Sequence, residues 1–455
     1  MYGTIDHTGA AALTLCRYKA WLVHKPELMC DLVSLRTATA TGVMLRLCLL
    51  AVCVAAAAAA ANTLVLVDTL ATRETHSIFL KSLQERGHEL TVKVADDPSL
   101  QLSRYGEYVY QNLVIFAPGV EEFGGALSVE TIVEFIDGGG NVLVAGSREA
   151  ADLIRELVTE VGVEMDEEGA AVIDHLHYDA NDDGQHTLIA APSSGLIDSE
   201  VMVGARDAVP LLYRGTGLIT DADNPLVLPV LRAPSTAYCY SPTQAITDYP
   251  HATGQNMLLV AALQARNNAR VVVSGSLEFF SDAFIMASVQ TPQGASYERS
   301  GNGRVVEALS RWVFMEEGVL RVISIHHHLQ GETVPPAAYT IKDDVEYKIR
   351  VERLVEGKWT PFVANDMQME FVRIDPFVRV TMTPNTNGVF TVKFKVPDVY
   401  GVYQFKVEYN RVGFTRLFSS TQYTGGNEGG HLSIFRPFLS TGVSKQLVSH
   451  CSLRQ

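Results

Sequence analysis

An α/β doubly wound (flavodoxin/Rossmann-like) region followed by a small antiparallel β-sandwich is the architecture this 455-residue sequence predicts. Three observations predict it. Short apolar runs alternate with helix-periodic segments after residue 61, the order expected of a parallel sheet with crossover helices. Beyond His328 the apolar period changes to two, as in strands with one wet face. Hydrophobic residues make up 47% and charged residues 19%, enough to give both regions a core.

Asn62–Asp68 (NTLVLVD) is a near-continuous apolar run ending in a polar residue, the pattern of a strand buried on both faces. Thr72 can cap the next helix, where His76, Phe79, Leu80 and Leu83 fall at i, i+3, i+4 and i+7 and Gly87 suits the C-terminal end. His88–Val94 alternates as a second strand, and Asn112–Ala117 is a third. Ser128 opens a helix with Ile132, Phe135 and Ile136 on one side, closed by Gly138–Gly140. Asn141–Ala145 is a fourth strand, after which Ser147 starts a helix through Ile154, Leu157 and Val158. The pattern loosens between Gly162 and Pro250. It returns as a helix over Gln255–Arg266, a strand over Arg270–Ser274 and a helix over Arg304–Glu316. The α/β region is therefore expected over 62–320, with an irregular insertion. His326–His328 fall at the junction and read as a solvated linker. In the second region, over 321–422, Val345, Tyr347, Ile349 and Val351 alternate with charged residues. Phe390–Val396 and Tyr403–Tyr409 repeat that pattern around turns such as Pro384–Gly388.

The ends read differently. From Met44 a single basic residue, Arg46, precedes a short apolar stretch and the alanines Ala55–Ala61, the layout of a cleavable secretory signal peptide over 44–61. Residues 1–43 show no clear pattern and are expected to be a non-native extension ahead of a true start at Met44. Cleavage would leave Cys239 and Cys451, too few for a disulfide-built fold. No run of about 18 apolar residues follows Ala61, so the mature chain is expected to be soluble. Residues 423–455 form an atypical Gly/Ser-rich tail without a sustained period.

A net charge of -15 argues against nucleic acid, whose phosphates select basic faces. In a doubly wound sheet, ligands sit beyond the C-terminal strand ends. Those ends carry Asp68, Arg73, Glu74, His76, Asp96, Asp97, Ser147 and Ser276, a candidate binding edge. The first strand–helix turn, Asp68–Thr72, has no glycine to let backbone approach a pyrophosphate, so no dinucleotide is expected. No G-x-S-x-G, phosphate loop, H-E-x-x-H or C-x-x-C occurs, and no catalytic residue, metal ligand or cofactor is assigned. Cys239 reads as packing. Asp179-x-Asn181-x-Asp183-Gly184 matches the first half of a calcium loop, flanked by His175, His177 and His186. Its twelfth position is Ala190 where a bidentate glutamate is needed, so a polar turn is the expectation.

Several stretches are more specific. Arg73-Glu74-Thr75-His76-Ser77, Ala95-Asp96-Asp97-Pro98-Ser99-Leu100, Phe123-Gly124-Gly125, Phe135–Gly140, Gly184-Gln185-His186-Thr187-Leu188 and Tyr403-Gln404-Phe405-Lys406-Val407 occur in this order. Together they resemble the non-catalytic (DDOST) subunit family of dolichyl-diphosphooligosaccharide–protein glycosyltransferase, over about residues 62–422. The resemblance implies a type I membrane protein of the endoplasmic reticulum with a large lumenal part. It implies a complex that transfers glycan from dolichyl diphosphate to asparagine in N-x-S/T. Catalysis and its metal would belong to a multi-span subunit, with ribophorins and the defender-against-death subunit as further partners. The family's transmembrane helix has no counterpart in 423–455, so membrane association is expected through the complex. A free lumenal or secreted binding protein, or a sugar-acting enzyme at the strand ends, are the alternatives.

Overall fold

The computed structural model describes residues 61–424 apart from 222 and 337. The stretches expected to be an N-terminal extension and a signal peptide, up to residue 60, and the tail beyond 424 lie outside the described residues. In chain order the main sheet uses β1 (Ala61–Val67), β2 (His88–Val94), β3 (Asn112–Phe116), β4 (Asn141–Ala145), β5 (Val163–Met165), β6 (Leu218–Thr220), β7 (Val227–Arg232), β8 (Leu258–Gln264) and β9 (Arg270–Ser274). Spatially the order is β2-β1-β3-β4-β9-β8-β6-β5, with β7 also on β8. The strands are parallel from β2 to β9 and antiparallel beyond, so the sheet is mixed.

Helices lie on both faces: α1 (Ala71–Thr75), α2 (Ser77–Glu85), α3 (Val129–Asp137), α4 (Asp152–Glu160) and α5 (Asn302–Val313). Val65, Val67, Val114 and Phe116 share a core with Phe79 and Leu83 of α2 and Leu309 and Trp312 of α5. The alternate residues Leu64, Leu66, Leu113 and Ile115 pack with Ile132 and Phe135 of α3 and Ile154 and Leu157 of α4. Burial on both faces is why these strands read as unbroken apolar runs. Ser128 caps α3 as expected: its hydroxyl accepts the Thr131 N–H (3.2 Å) while its own N–H donates to Thr131 Oγ1 (2.8 Å).

Four expectations are corrected. Gln255–Arg266 is not a helix; Leu258–Gln264 is strand β8. Leu, Ala and Gln favour helix intrinsically, but β8 pairs on both sides and is buried at Leu258–Ala262, so tertiary pairing overrides propensity. Ser147 does not start a helix; α4 begins at Asp152, and the Ser147 hydroxyl accepts the Glu149 N–H (3.2 Å). The helix expected from Thr72 breaks at His76 (φ -121°, ψ 31°) into α1 and α2. His326–His328 are no linker: they belong to β10 (Leu320–Leu329), where His327 stacks on Phe405 (5.0 Å) and His328 is buried.

The second region is antiparallel throughout. β11 (Asp344–Val355), β12 (Lys358–Pro361), β13 (Gln368–Val372), β14 (Pro376–Thr381), β15 (Thr383–Pro384), β16 (Val389–Lys395), β17 (Val402–Tyr409) and β18 (Leu417–Thr424) complete it. One sheet runs β10-β11-β16-β15 with β12 on β11, the other β14-β13-β17-β18. Inward residues of both, such as Tyr347, Ile349 and Phe390 with Phe371, Phe405 and Val407, form one core. The period of two places these side chains inside and their charged neighbours outside.

Candidate functional site

The parallel strands change direction of filling at β1: β2 lies on one side and β3 on the other. The crevice at such a switch is the usual ligand position of an open α/β sheet. Asp68 stands there, at the end of β1, and its Oδ2 accepts the Gly119 N–H (3.3 Å) beyond β3. Burial pushes the Asp68 carboxyl above its ordinary value, against the opposing pull of the Gly119 N–H.

The other predicted edge residues are mostly committed to local structure. His76 is buried, with Nδ1 at 2.9 Å from Thr75 Oγ1 and Nε2 at 3.2 Å from the Leu277 carbonyl. Ser276 is fully buried; its hydroxyl donates to the Arg214 carbonyl (2.5 Å) and accepts the Phe279 N–H (3.3 Å). His76 and the Ser276–Leu277 turn are thus brought together, as a clamp on the chain. Arg73 and Glu74 are exposed on α1, and Arg73 lines a shallow groove of about 250 Å³ between α2 and edge strand β2 with Ser77, Lys81 and Val92. Asp96 is exposed. Asp97 accepts the Ser99 hydroxyl (2.6 Å) and N–H (2.7 Å), which hold its carboxyl below the ordinary value. A Cβ on Gly124 would stand 2.3 Å from the Asp97 carbonyl oxygen, so two of the stretches singled out in the sequence meet backbone to backbone.

Loop 179–190 is held by its own N–H groups and by Gln290. Asp182 accepts four N–H groups, from Gly184 (2.9 Å), His186 (2.6 Å), Thr187 (3.1 Å) and Leu188 (2.8 Å). Burial pushes its carboxyl up, but these donors, Leu188 foremost, outweigh that and hold it below the ordinary value. Asp179 is buried and accepts the N–H groups of Asn181 (2.9 Å) and Gln290 (2.8 Å). Among the described residues no group of three or more His, Cys, Asp or Glu side chains is placed to hold a metal ion. Cys239 is buried, and burial raises its thiol further from ionisation.

Sequence reasoning missed two features. The Asp282 carboxylate caps α2 from 204–205 residues away, accepting the N–H groups of Ser77 (3.0 Å) and Ile78 (2.9 Å). The second is a polar row under the sheet, at the N-terminal strand ends. Glu316 meets His88 Nε2 (2.7 Å), His88 Nδ1 meets Thr63 Oγ1 (3.1 Å), Asn112 Nδ2 donates to Thr63 Oγ1 (3.3 Å), and Asn141 Nδ2 donates to Asn112 Oδ1 (3.1 Å). Asn141 Oδ1 then accepts the Arg270 N–H (3.1 Å). The fully buried Arg270 guanidinium continues to the second region. It donates to the carbonyls of Trp312 (2.5 Å), Glu317 (2.7 Å), Gly318 (3.1 Å) and Gly413 (3.4 Å), with its Cζ 4.6 Å from the Trp312 ring centroid. Trp312 Nε1 donates to the same Gly413 carbonyl (2.9 Å), and Gln264 Nε2 to that of Phe414 (2.8 Å). The β17–β18 turn is thereby tied to the main sheet. Strand-initial polar residues at matched register were the available signal.

Two family profiles match the chain: "OST48, N-terminal domain" over residues 54–316 and "OST48 middle domain" over 326–425. A Drosophila melanogaster protein is 60% identical over 367 residues, covering 79% of this chain and 82% of its own length. A Danio rerio protein is 57% identical over 362 residues, covering 79% and 82%. Both are named dolichyl-diphosphooligosaccharide–protein glycosyltransferase 48 kDa subunit. Among solved structures, a ThuA-like protein of Parabacteroides merdae is 12% identical with a TM-score of 0.28, over 56% of this chain and 90% of its own; a likeness that weak carries no argument.

Proposed function

The chain belongs to the OST48 family, and we propose that within the dolichyl-diphosphooligosaccharide–protein glycosyltransferase it is a rigid, non-catalytic support for the other subunits. Membership makes it a subunit of the oligosaccharyltransferase complex and ties it to protein N-glycosylation. The supporting role rests on one observation: the buried polar side chains at the switch-point edge, His76 and Ser276, are spent on main-chain carbonyls. On this reading transfer of glycan from dolichyl diphosphate to asparagine belongs to the multi-span catalytic subunit. Ribophorins and the defender-against-death subunit are the neighbours, on the lumenal side of the endoplasmic reticulum. Residues 62–320 then form a doubly wound domain and 321–422 a β-sandwich.

The test is replacement of the endogenous family member by this chain carrying Asp68→Ala, Arg73→Ala or Asp97→Ala, with glycosylation of an N-x-S/T reporter as readout. The expected result is reporter occupancy equal to the unsubstituted chain in all three. Loss of occupancy with the complex intact would overturn the supporting role and favour a working site at the edge.

A further inference from the structure

The second region has two unlike ends. At one, the β17–β18 turn is bonded to Arg270, Trp312 and Gln264 of the first region. The other lies a strand length away, since eight residues of β17 span about 26 Å. There the turn 373–375 between β13 and β14 meets the 398–401 loop, held by Arg373 Nη1 donating to the Tyr400 carbonyl (2.8 Å). This distal end exposes large apolar side chains together: Ile374 (83% exposed), Tyr400 (50%), Phe377 (44%), Val402 (44%) and Val399 (37%). Phe377 and Tyr403 are in edge-to-face contact at 5.6 Å, so the patch is continuous with the core beneath it. Isolated apolar residues need no explanation, but a group of five at one tip does.

Two observations choose the occupant. The chain leaves the fold here, because β18 closes at Thr424 in register with Val402, and 425–455 continue from that point. The chemistry is also that of a bilayer interface: aliphatic side chains, a tyrosine and a phenylalanine, and an arginine lying back over the Phe377 ring (5.8 Å). Charge at the tip is sparse and mixed, with Arg373 beside Asp375 and Asp398, and the whole chain is acidic at -15. That fits a zwitterionic surface and not an anionic one.

We infer that the distal end of the second region, built from Ile374, Phe377, Val399, Tyr400 and Val402, seats in the interfacial layer of a zwitterionic lipid bilayer. The inference goes beyond the supporting role and does not depend on it. The full chain is tested for flotation with phosphatidylcholine vesicles, with hydrogen exchange read at 373–377 and 398–403. The inference expects slower exchange in both segments when vesicles are added, and partition weakened about tenfold or more by Ile374→Asp with Tyr400→Asp. Tyr249→Asp, at an 86%-exposed position of the first region, is the control and is expected to change nothing. These positions are exposed, so the substitutions leave the core intact, and unchanged thermal melting confirms it. Exchange at the tip that vesicles do not slow overturns the inference. So does exchange already slow without vesicles, which would mean residues 425–455 cover the patch. Loss of other subunits from the double variant, without any effect on vesicles, assigns the tip to a protein partner and equally overturns it.

Discussion

The two ends of the parallel strands are built on different plans. At the C-terminal ends the bonded polar residues form separate pairs: Asp68 with Gly119, Asp97 with Ser99, Ser276 with Arg214, His76 with Leu277. At the N-terminal ends one residue per strand joins a single row, from Glu316 through His88, Thr63, Asn112 and Asn141 to Arg270. The difference is one of connectivity. Separate pairs share no member, whereas a buried row transmits the loss of any one. The row also ends at the joint between the two regions.

The comparison is sharpened most by Arg270. Burial pushes its pKa down to about 9, so it stays charged at neutral pH, with carbonyl dipoles and the Trp312 ring in place of a carboxylate and its buried Nε without a hydrogen-bond partner. Arg270→Met removes a charged donor from four carbonyls; those of Trp312, Gly318 and Gly413 keep the Met315 N–H, the Thr415 N–H and Trp312 Nε1, while that of Glu317 loses its donor. A loss of about 3–5 kcal/mol in urea unfolding is expected, with the two regions becoming separately protease-sensitive. A loss below about 1 kcal/mol would mean the joint is held elsewhere. Next is Asn112→Leu in the middle of the row, which strands the Asn141 amide and removes a donor from Thr63. About 2 kcal/mol is expected, and a double-mutant cycle with Asn141→Ala should be non-additive. Additive losses would break the idea of a connected row.

Much of this was legible in advance, for a physical reason. Strands buried on both faces cannot alternate, so β1, β3 and β4 stand out as apolar runs, while the half-buried β11, β16 and β17 show a period of two. Ser128 signals its helix because its cap is local. The failures share the opposite trait. β8 is a strand because of neighbours distant in sequence, α2 begins at His76 because Leu277 and Asp282 hold it there, and His327 is sheltered by Phe405. At the candidate edge, the sequence placed Asp68 at a strand end but had no means of showing that Ser276 would be turned inward onto Arg214. The polar row was missed because Thr63, Asn112 and Asn141 look like ordinary strand boundaries until register aligns Thr63 with Asn112 and Asn112 with Asn141.

The smallest expected effect is at Asp68, and its sign distinguishes the two plans. Burial raises its folded pKa above the ordinary value of 3.8. At pH below that value both folded and unfolded chains hold the proton and the site is neutral. As pH rises from there through the raised folded value, the unfolded chain releases its proton first, the folded state binds more protons, and stability falls. Asp182 works in the other direction: its folded pKa is depressed, so its contribution is present above the ordinary value and is lost as pH falls through the folded one. The variant Asp68→Asn keeps an acceptor for Gly119 and removes only the charge. Its stability relative to the unsubstituted chain should therefore rise with pH across that window, ending within about 0.5 kcal/mol at neutral pH. A marked destabilisation there would show that the Asp68 charge is held by more than the Gly119 N–H. In that case the upper edge would share the connectivity of the lower one.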